Sequence, residues 1–165
     1  MLEIIIAAVI IIIDMVSKYL AEIFCQSPIV LIDGVAQLTY VQNRGAAWGI
    51  LSNATIVLII ITFIFCGLLV WLTIRNHKNF TTLSRIIVAL IFAGAVGNLI
   101  DRVLLGYVRD MIEVTFVSFP VFNIADSSIV IGTILLVIEV LFIKKNVFSV
   151  IEQDIKTLKK TKEDE

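Results

Sequence analysis

The chain has 165 residues, 59% of them hydrophobic and 16% charged, with a net charge of −1 and a mean hydropathy of +1.04. Soluble domains run nearer about 45–50% apolar and about 25% charged, so this composition points to a protein of the bilayer. The near-zero charge gives no electrostatic case for binding nucleic acid.

Four apolar segments are predicted as membrane helices, each near the ~20 residues that cross a ~30 Å hydrocarbon core. The first runs from about Leu2 to Leu20 and carries Asp14 and Lys18 late in its length. It lacks a basic leading region and a small-x-small site before Phe24, so it is read as a retained span. Asp14 and Lys18 stand at i and i+4 with the acid first, the favoured order for a neutralising pair on one helix face.

Residues 21–53 are too long a connector for a turn. Ile32-Asp33-Gly34-Val35 carries an Asp-Gly hairpin signal, and Leu38-Thr39-Tyr40-Val41-Gln42 alternates as a half-buried strand would. A small sheet-like platform on the outer surface is expected. The segment closes on Asn43-Arg44-Gly45-Ala46-Ala47-Trp48-Gly49, polar hydrogen bonders beside small residues and a Trp suited to a membrane interface.

The second span, about Ala54 to Ile74, contains no charge. It leads into Arg75-Asn76-His77-Lys78, where His77, the single histidine, reads as a solvated surface residue. No H-E-x-x-H zinc site exists, and a Ser–His protease would have to recruit His77. Cys25 and Cys66 are not in a metal or redox spacing and read as small apolar fillers, with no disulfide expected.

The third span, about Ile86 to Leu105, contains the small-residue run Ala93-Gly94-Ala95-Val96-Gly97, which permits close helix approach. Asn98, Asp101 and Arg102 follow at i, i+3 and i+4, on one helix face. They read either as a buried Asp–Arg pair that fixes packing or as a polar wall of a cavity. Two acids then fall where apolar segments meet water, Asp110 in Val108-Arg109-Asp110-Met111-Ile112 and Asp126 in Phe122-Asn123-Ile124-Ala125-Asp126. Singly, Asp110 reads as a solvated loop acid, and Asp126 as an N-cap of the fourth span, about Asn123 to Ile143. In the tail, residues 144–165, Val147, Ile151, Ile155 and Leu158 share a helical face among lysines, as in a surface helix on anionic lipid or a frayed charged tail.

Basic residues set the expected orientation. Arg75, Lys78 and Arg85 lie in the second connector and six lysines in the tail, so that connector and both termini are assigned to the cytoplasm. Asp14, Lys18, Asp110 and Asp126 then share one depth on the outer side. A carboxylate near hydrocarbon costs at least about 2.5 kcal/mol, which makes such acids functional candidates. Two close carboxylates share one proton. The ionised partner takes a proton from water and the protonated partner polarises a carbonyl, which is the chemistry of an aspartic peptidase. The rival readings are a proton-coupled transporter, which predicts polar residues spread through the membrane depth, and a non-catalytic assembly protein.

On these residues the chain resembles the lipoprotein signal peptidases, the signal peptidase II family of bacterial membrane aspartyl peptidases. The boxes that carry the resemblance run in order: Asp14-x-x-Ser17-Lys18, Asn43-x-Gly45-Ala46-Ala47-Trp48, Gly94-Ala95-x-Gly97-Asn98-x-x-Asp101-Arg102, Val108-x-Asp110 and Phe119-Pro120-x-Phe122-Asn123-x-Ala125-Asp126. The resemblance implies a four-helix membrane bundle with a small extracytoplasmic β-cradle. It implies removal of the signal peptide from diacylglyceryl-modified prolipoproteins, just before the lipidated cysteine, with no cofactor. It implies Asp110 and Asp126 as the catalytic pair. Asn43, Asn98, Arg102 and Asn123 would orient substrate or support the pair, and Asp14, Lys18, Gly45, Asp101 and Ala125, from the same motifs, are assigned with them. Expected partners are the prolipoproteins and membrane lipids, for a monomer in the bacterial cytoplasmic membrane with its active site at the outer face. Met111 and Trp48 stand where the family often has Phe, and Ala93 where a second Gly is common.

Overall fold

A computed structural model describes residues 1–45 and 54–143. It contains four long helices, α1 (Leu2–Phe24), α2 (Thr55–Asn76), α3 (Thr82–Leu105) and α4 (Ile124–Ile138), the last continuing through a π-helical turn (Glu139–Ile143). Each of the four is long and apolar enough to cross a membrane. Their surfaces fit that setting: on α2 the only buried side chain is Cys66, and most of its other apolar side chains are exposed. A helix apolar all round is stable against hydrocarbon.

The centre of the bundle is α3, which packs against α1, α2 and α4. Small residues bring these helices close. A side chain at Gly94 would meet the Ala125 carbonyl and Ile129; one at Gly97 would meet Asp14 and Ala125; one at Gly132 would meet Ile91. The N-terminal end of α3 is closed by a capping box between Thr81 and Ser84, and both hydroxyls donate to Glu139 Oε1, at 3.1 and 2.6 Å. Its C-terminal end stops at Gly106, whose φ of 81° gives the left-handed cap that a Cβ would strain.

The sheet is antiparallel in the order β1 (Ile29–Ile32), β2 (Ala36–Asn43), β3 (Val108–Val114). Its hairpin turns at Asp33-Gly34-Val35, with Gly34 at φ 67°. Strand β2 does not alternate as the sequence suggests: its first five residues are all half-buried. The platform is also not confined to residues 21–53. Its third strand comes from the connector after α3, and Ala21–Phe24 belong to α1. The expected tail helix and Ala46-Ala47-Trp48-Gly49 lie outside the described residues.

Beneath the sheet, Ala21, Cys25 and Met111 form a small apolar core with Leu38, Tyr40 and Ile112. Strand β3 is also tied to the chain entering α4. Met111 N–H and Ile112 N–H donate to the Phe122 carbonyl at 3.0 and 2.8 Å, and Phe122 N–H returns a bond to Ile112. This clip fixes the strand bearing Asp110 against the helix start bearing Asp126.

Candidate active site

Asp110 lies on β3 opposite Val41, with 1% of its surface exposed. The solvated-loop reading of this acid is therefore wrong: sheet pairing and the Phe122 clip bury it. Asp126 sits in the first turn of α4, half-buried. It is not the N-cap. That role belongs to Asn123, whose Oδ1 accepts from Asp126 N–H at 2.8 Å while Asp126 Oδ2 accepts from Asn123 N–H at 3.2 Å. The capping box orients the Asp126 carboxylate at the positive end of the helix dipole.

Three asparagines surround the two acids, one from each neighbouring element. Asn43 Nδ2, at the end of β2, donates to Asp110 Oδ2 at 3.0 Å. Asn123 Nδ2 donates to Asp110 Oδ1 at 2.6 Å. Asn98 Nδ2, from α3, donates to Asp126 Oδ1 at 2.7 Å. With the Asn123 backbone bond to Asp126 Oδ2, each of the four carboxylate oxygens accepts one N–H.

Each amide is in turn held by a donor on its oxygen. Asn43 Oδ1 accepts from Gly45 N–H at 2.9 Å, and Asn123 Oδ1 from Asp126 N–H. Asn98 Oδ1 accepts from Lys18 Nζ at 3.0 Å and from Asn123 Nδ2 at 3.1 Å. Arg102 links the residues after β2 to α3: its Nη2 donates to the Gly45 carbonyl at 3.1 Å and its Nη1 to the Asn98 carbonyl at 3.4 Å.

Behind this layer lies a charged one. Lys18 Nζ is 2.7 Å from Asp14 Oδ2 and 3.6 Å from Asp101 Oδ2. Asp14 Oδ1 accepts from Ala125 N–H at 2.8 Å, which gives Ala125 its place in the site: a fully buried methyl pressed against α3 where the chain enters α4. Asp101 does not pair with Arg102, as one sequence reading expects. Its carboxylate takes Arg109 Nη2 at 2.8 Å, Arg109 Nε at 3.3 Å and Arg109 N–H at 3.0 Å, because the turn at Gly106 folds β3 back over the end of α3. Arg109 also reaches Glu22 on α1 at 3.0 Å. Burial pulls the Arg109 pKa down, but its bonds and charge contacts to Asp101 and Glu22 outweigh that and leave it raised.

Burial dominates the electrostatics of Asp110. It raises the carboxyl, the Asn43 and Asn123 bonds pull it back, and the nearby Asp126 charge adds to the rise, for a pKa of about 6. At neutral pH this acid is close to exchanging its proton while its neighbour sits at a helix N-terminus with an amide on each oxygen. Such a pair can hold one proton between two carboxylates.

Comparison with known proteins decides the family. A family model described as signal peptidase (SPase) II matches residues 6–142. The chain belongs to the signal peptidase II family. The lipoprotein signal peptidase of Enterococcus faecalis is 40% identical over 135 residues, 81% of this chain and 83% of that protein. That of Caldanaerobacter subterraneus is 45% identical over 139 residues, 82% of this chain and 92% of its own. A solved bacterial membrane enzyme superposes with a TM-score of 0.80 at 39% identity, covering 88% of this chain and 90% of that one. This signal peptidase II is thus a multi-pass membrane peptidase with a helical bundle and a small sheet.

The structure gathers Asp14, Lys18, Asn43, Gly45, Asn98, Asp101, Arg102, Asp110, Asn123, Ala125 and Asp126 at one end of the peptidase's bundle. Arg109 and Glu22 join them without being singled out in the sequence. Arg109 is adjacent to a candidate acid, but only the turn after α3 shows that it faces Asp101. An apolar cleft of about 510 Å³ between α1, α2 and α3, lined by Ala7, Ala8, Ala89 and Phe92 among others, lies toward the opposite ends of these helices and is not the reaction centre.

Proposed function

We propose that this enzyme is an aspartic endopeptidase that removes signal peptides from lipid-modified prolipoproteins, with Asp110 and Asp126 as its catalytic pair. One observation carries the reading: two carboxylates from different elements meet under a collar of amides that leaves each oxygen one N–H. Asp126, in the first turn of α4 with an N–H on each oxygen, is placed to act as the base. Asp110, buried and raised to about 6, is the acid that carries the proton of the pair, mostly so below that pH. Asp126 removes a proton from water as the oxygen attacks the scissile carbonyl, and Asp110 donates to the developing oxyanion. Collapse of the tetrahedral intermediate breaks the C–N bond, and the proton gained by Asp126 passes to the leaving nitrogen.

The distribution of basic residues supports cytoplasmic termini and a site at the outer face. The substrate's apolar signal helix then lies among the spans while its lipid stays in the bilayer, and the enzyme acts as a monomer. The transporter reading gains no support, since the site's bonded acids and amides gather at one end of the bundle.

The test is cleavage of a lipid-modified prolipoprotein by Asp110→Asn and Asp126→Asn variants. Each is expected to lose about 10³-fold or more in kcat. Continued cleavage by a correctly inserted variant would defeat the aspartic mechanism, and efficient cleavage of a non-lipidated precursor would defeat the lipid requirement.

A further inference from the structure

Of the three asparagines around the acids, two are oriented by the chain itself, through the Gly45 and Asp126 N–H groups. Asn98 is different, because a side chain from another helix holds it. Lys18 is fully buried on α1 and donates to Asn98 Oδ1 at 3.0 Å. A lysine ammonium has three protons and no acceptor, so the amide atom facing it must be the oxygen. The NH₂ group must then face Asp126, and it does so at 2.7 Å. The reverse orientation would set Nδ2 against the ammonium and Oδ1 against the carboxylate.

Charge balance does not account for this third contact. Asp14 at 2.7 Å and Asp101 at 3.6 Å already offset the ammonium, whereas Asn98 is neutral. Asn123 Nδ2 also reaches Asn98 Oδ1, at 3.1 Å, but its two protons are divided with Asp110 Oδ1 at 2.6 Å and the Arg109 carbonyl at 3.4 Å. A charged donor on a buried amide oxygen polarises that amide and strengthens its N–H as a donor.

We propose that Lys18 is a positioning residue for the catalytic pair, acting through Asn98 to hold a polarised N–H on Asp126. The inference rests on the reading of Asp110 and Asp126 as the dyad. The ammonium never touches substrate. Its effect is to favour the singly ionised pair among the charged groups that surround it: Asp110 on β3, Asp14 on α1, and Asp101 and Arg102 on α3.

The test uses the full chain and a lipid-modified prolipoprotein. Lys18→Met alone strands Asp14 as an uncompensated buried carboxylate, which destabilises for reasons unrelated to positioning. The informative variant is Asp14→Asn/Lys18→Met. It removes both charges, keeps an acceptor for Ala125 N–H, and leaves Asp101 to Arg109. The double variant is expected to melt within about 5 °C of the parent, with kcat down roughly tenfold or more and KM within about twofold. The acidic limb of its rate profile is expected at higher pH. Parental kcat with an unmoved limb in the folded double variant would overturn the proposal. If that variant does not fold, the ¹⁵N resonance of the Lys18 ammonium is compared between the parent and Asp126→Asn. A shift supports the coupling through Asn98, and an unmoved resonance overturns it. Cleavage surviving in Asp110→Asn or Asp126→Asn is a separate outcome, which removes the dyad reading itself.

Discussion

The properties of Asp110 set the expected response to pH. Its folded-state pKa, about 6 against an ordinary 3.8, is raised chiefly by burial. The sign follows for an acid: the protonated form is favoured on folding, so there is no penalty below pH 3.8. The penalty grows between 3.8 and 6 and is complete above 6, where a two-unit rise corresponds to about 3 kcal/mol. In the proposed mechanism Asp110 holds the proton that polarises the carbonyl, so kcat/KM of the free enzyme is expected to fall with rising pH on a limb near 6, displaced upward in kcat once substrate excludes water. A rate profile in kcat/KM checks this, and a profile flat from pH 5 to 8 (about two units beyond the limb) would reverse the assignment of the proton. At this scale the sequence shows which acids to suspect. It does not show that three side-chain amides and one backbone N–H partition over four oxygens, because two of the donors lie 28 and 67 residues from their acceptors.

Helices are the most legible elements, since each needs only a local run of apolar residues. Their ends differ from the expected ones: α1 runs on to Phe24, and α3 begins at Thr82, where a capping box rather than hydropathy sets the limit. The sheet was half legible. The Asp-Gly turn marks the β1–β2 hairpin, but β3 is recruited from beyond α3, and no local pattern announces a pairing of Val41 with Asp110. Glycines in the spans also separate by context. Gly97→Ala puts a methyl 2.6 Å from Asp14 Oδ2 and 3.2 Å from the Ala125 methyl, so the α1–α3–α4 contact must open. It is expected to cost about 1–3 kcal/mol and to lower kcat by moving Asn98 and Ala125. Gly67→Ala on α2, with nothing within 4 Å, is expected to be neutral or stabilising by up to about 1 kcal/mol. Thermal unfolding of both variants in detergent decides the point, and equal losses would mean that α3 is not the tight centre of the bundle.

The molecule as a whole gathers the two acids and their amides at one end of an apolar bundle, and its basic connector lies at the other. Cysteines introduced at Asn79 and Ser118, both exposed, should label from opposite sides of intact spheroplasts with an impermeant maleimide, Ser118→Cys from outside and Asn79→Cys only after lysis. The native Cys25 and Cys66 are buried and provide the unlabelled background. Labelling of both positions from outside would invert the topology. The sequence by itself determined the four apolar segments, the charge bias between their connectors and the ordered boxes of acids and amides, because hydropathy, charge and motif spacing are properties of the chain read along its length. Only the tertiary structure decided that Asp101 belongs to Arg109 and Lys18 rather than to Arg102, that Asn123 and not Asp126 caps α4, and that Lys18 donates to Asn98 while Asn98 donates to Asp126. Those choices depend on which donors meet which acceptors across 80 residues of chain, and helix packing makes them.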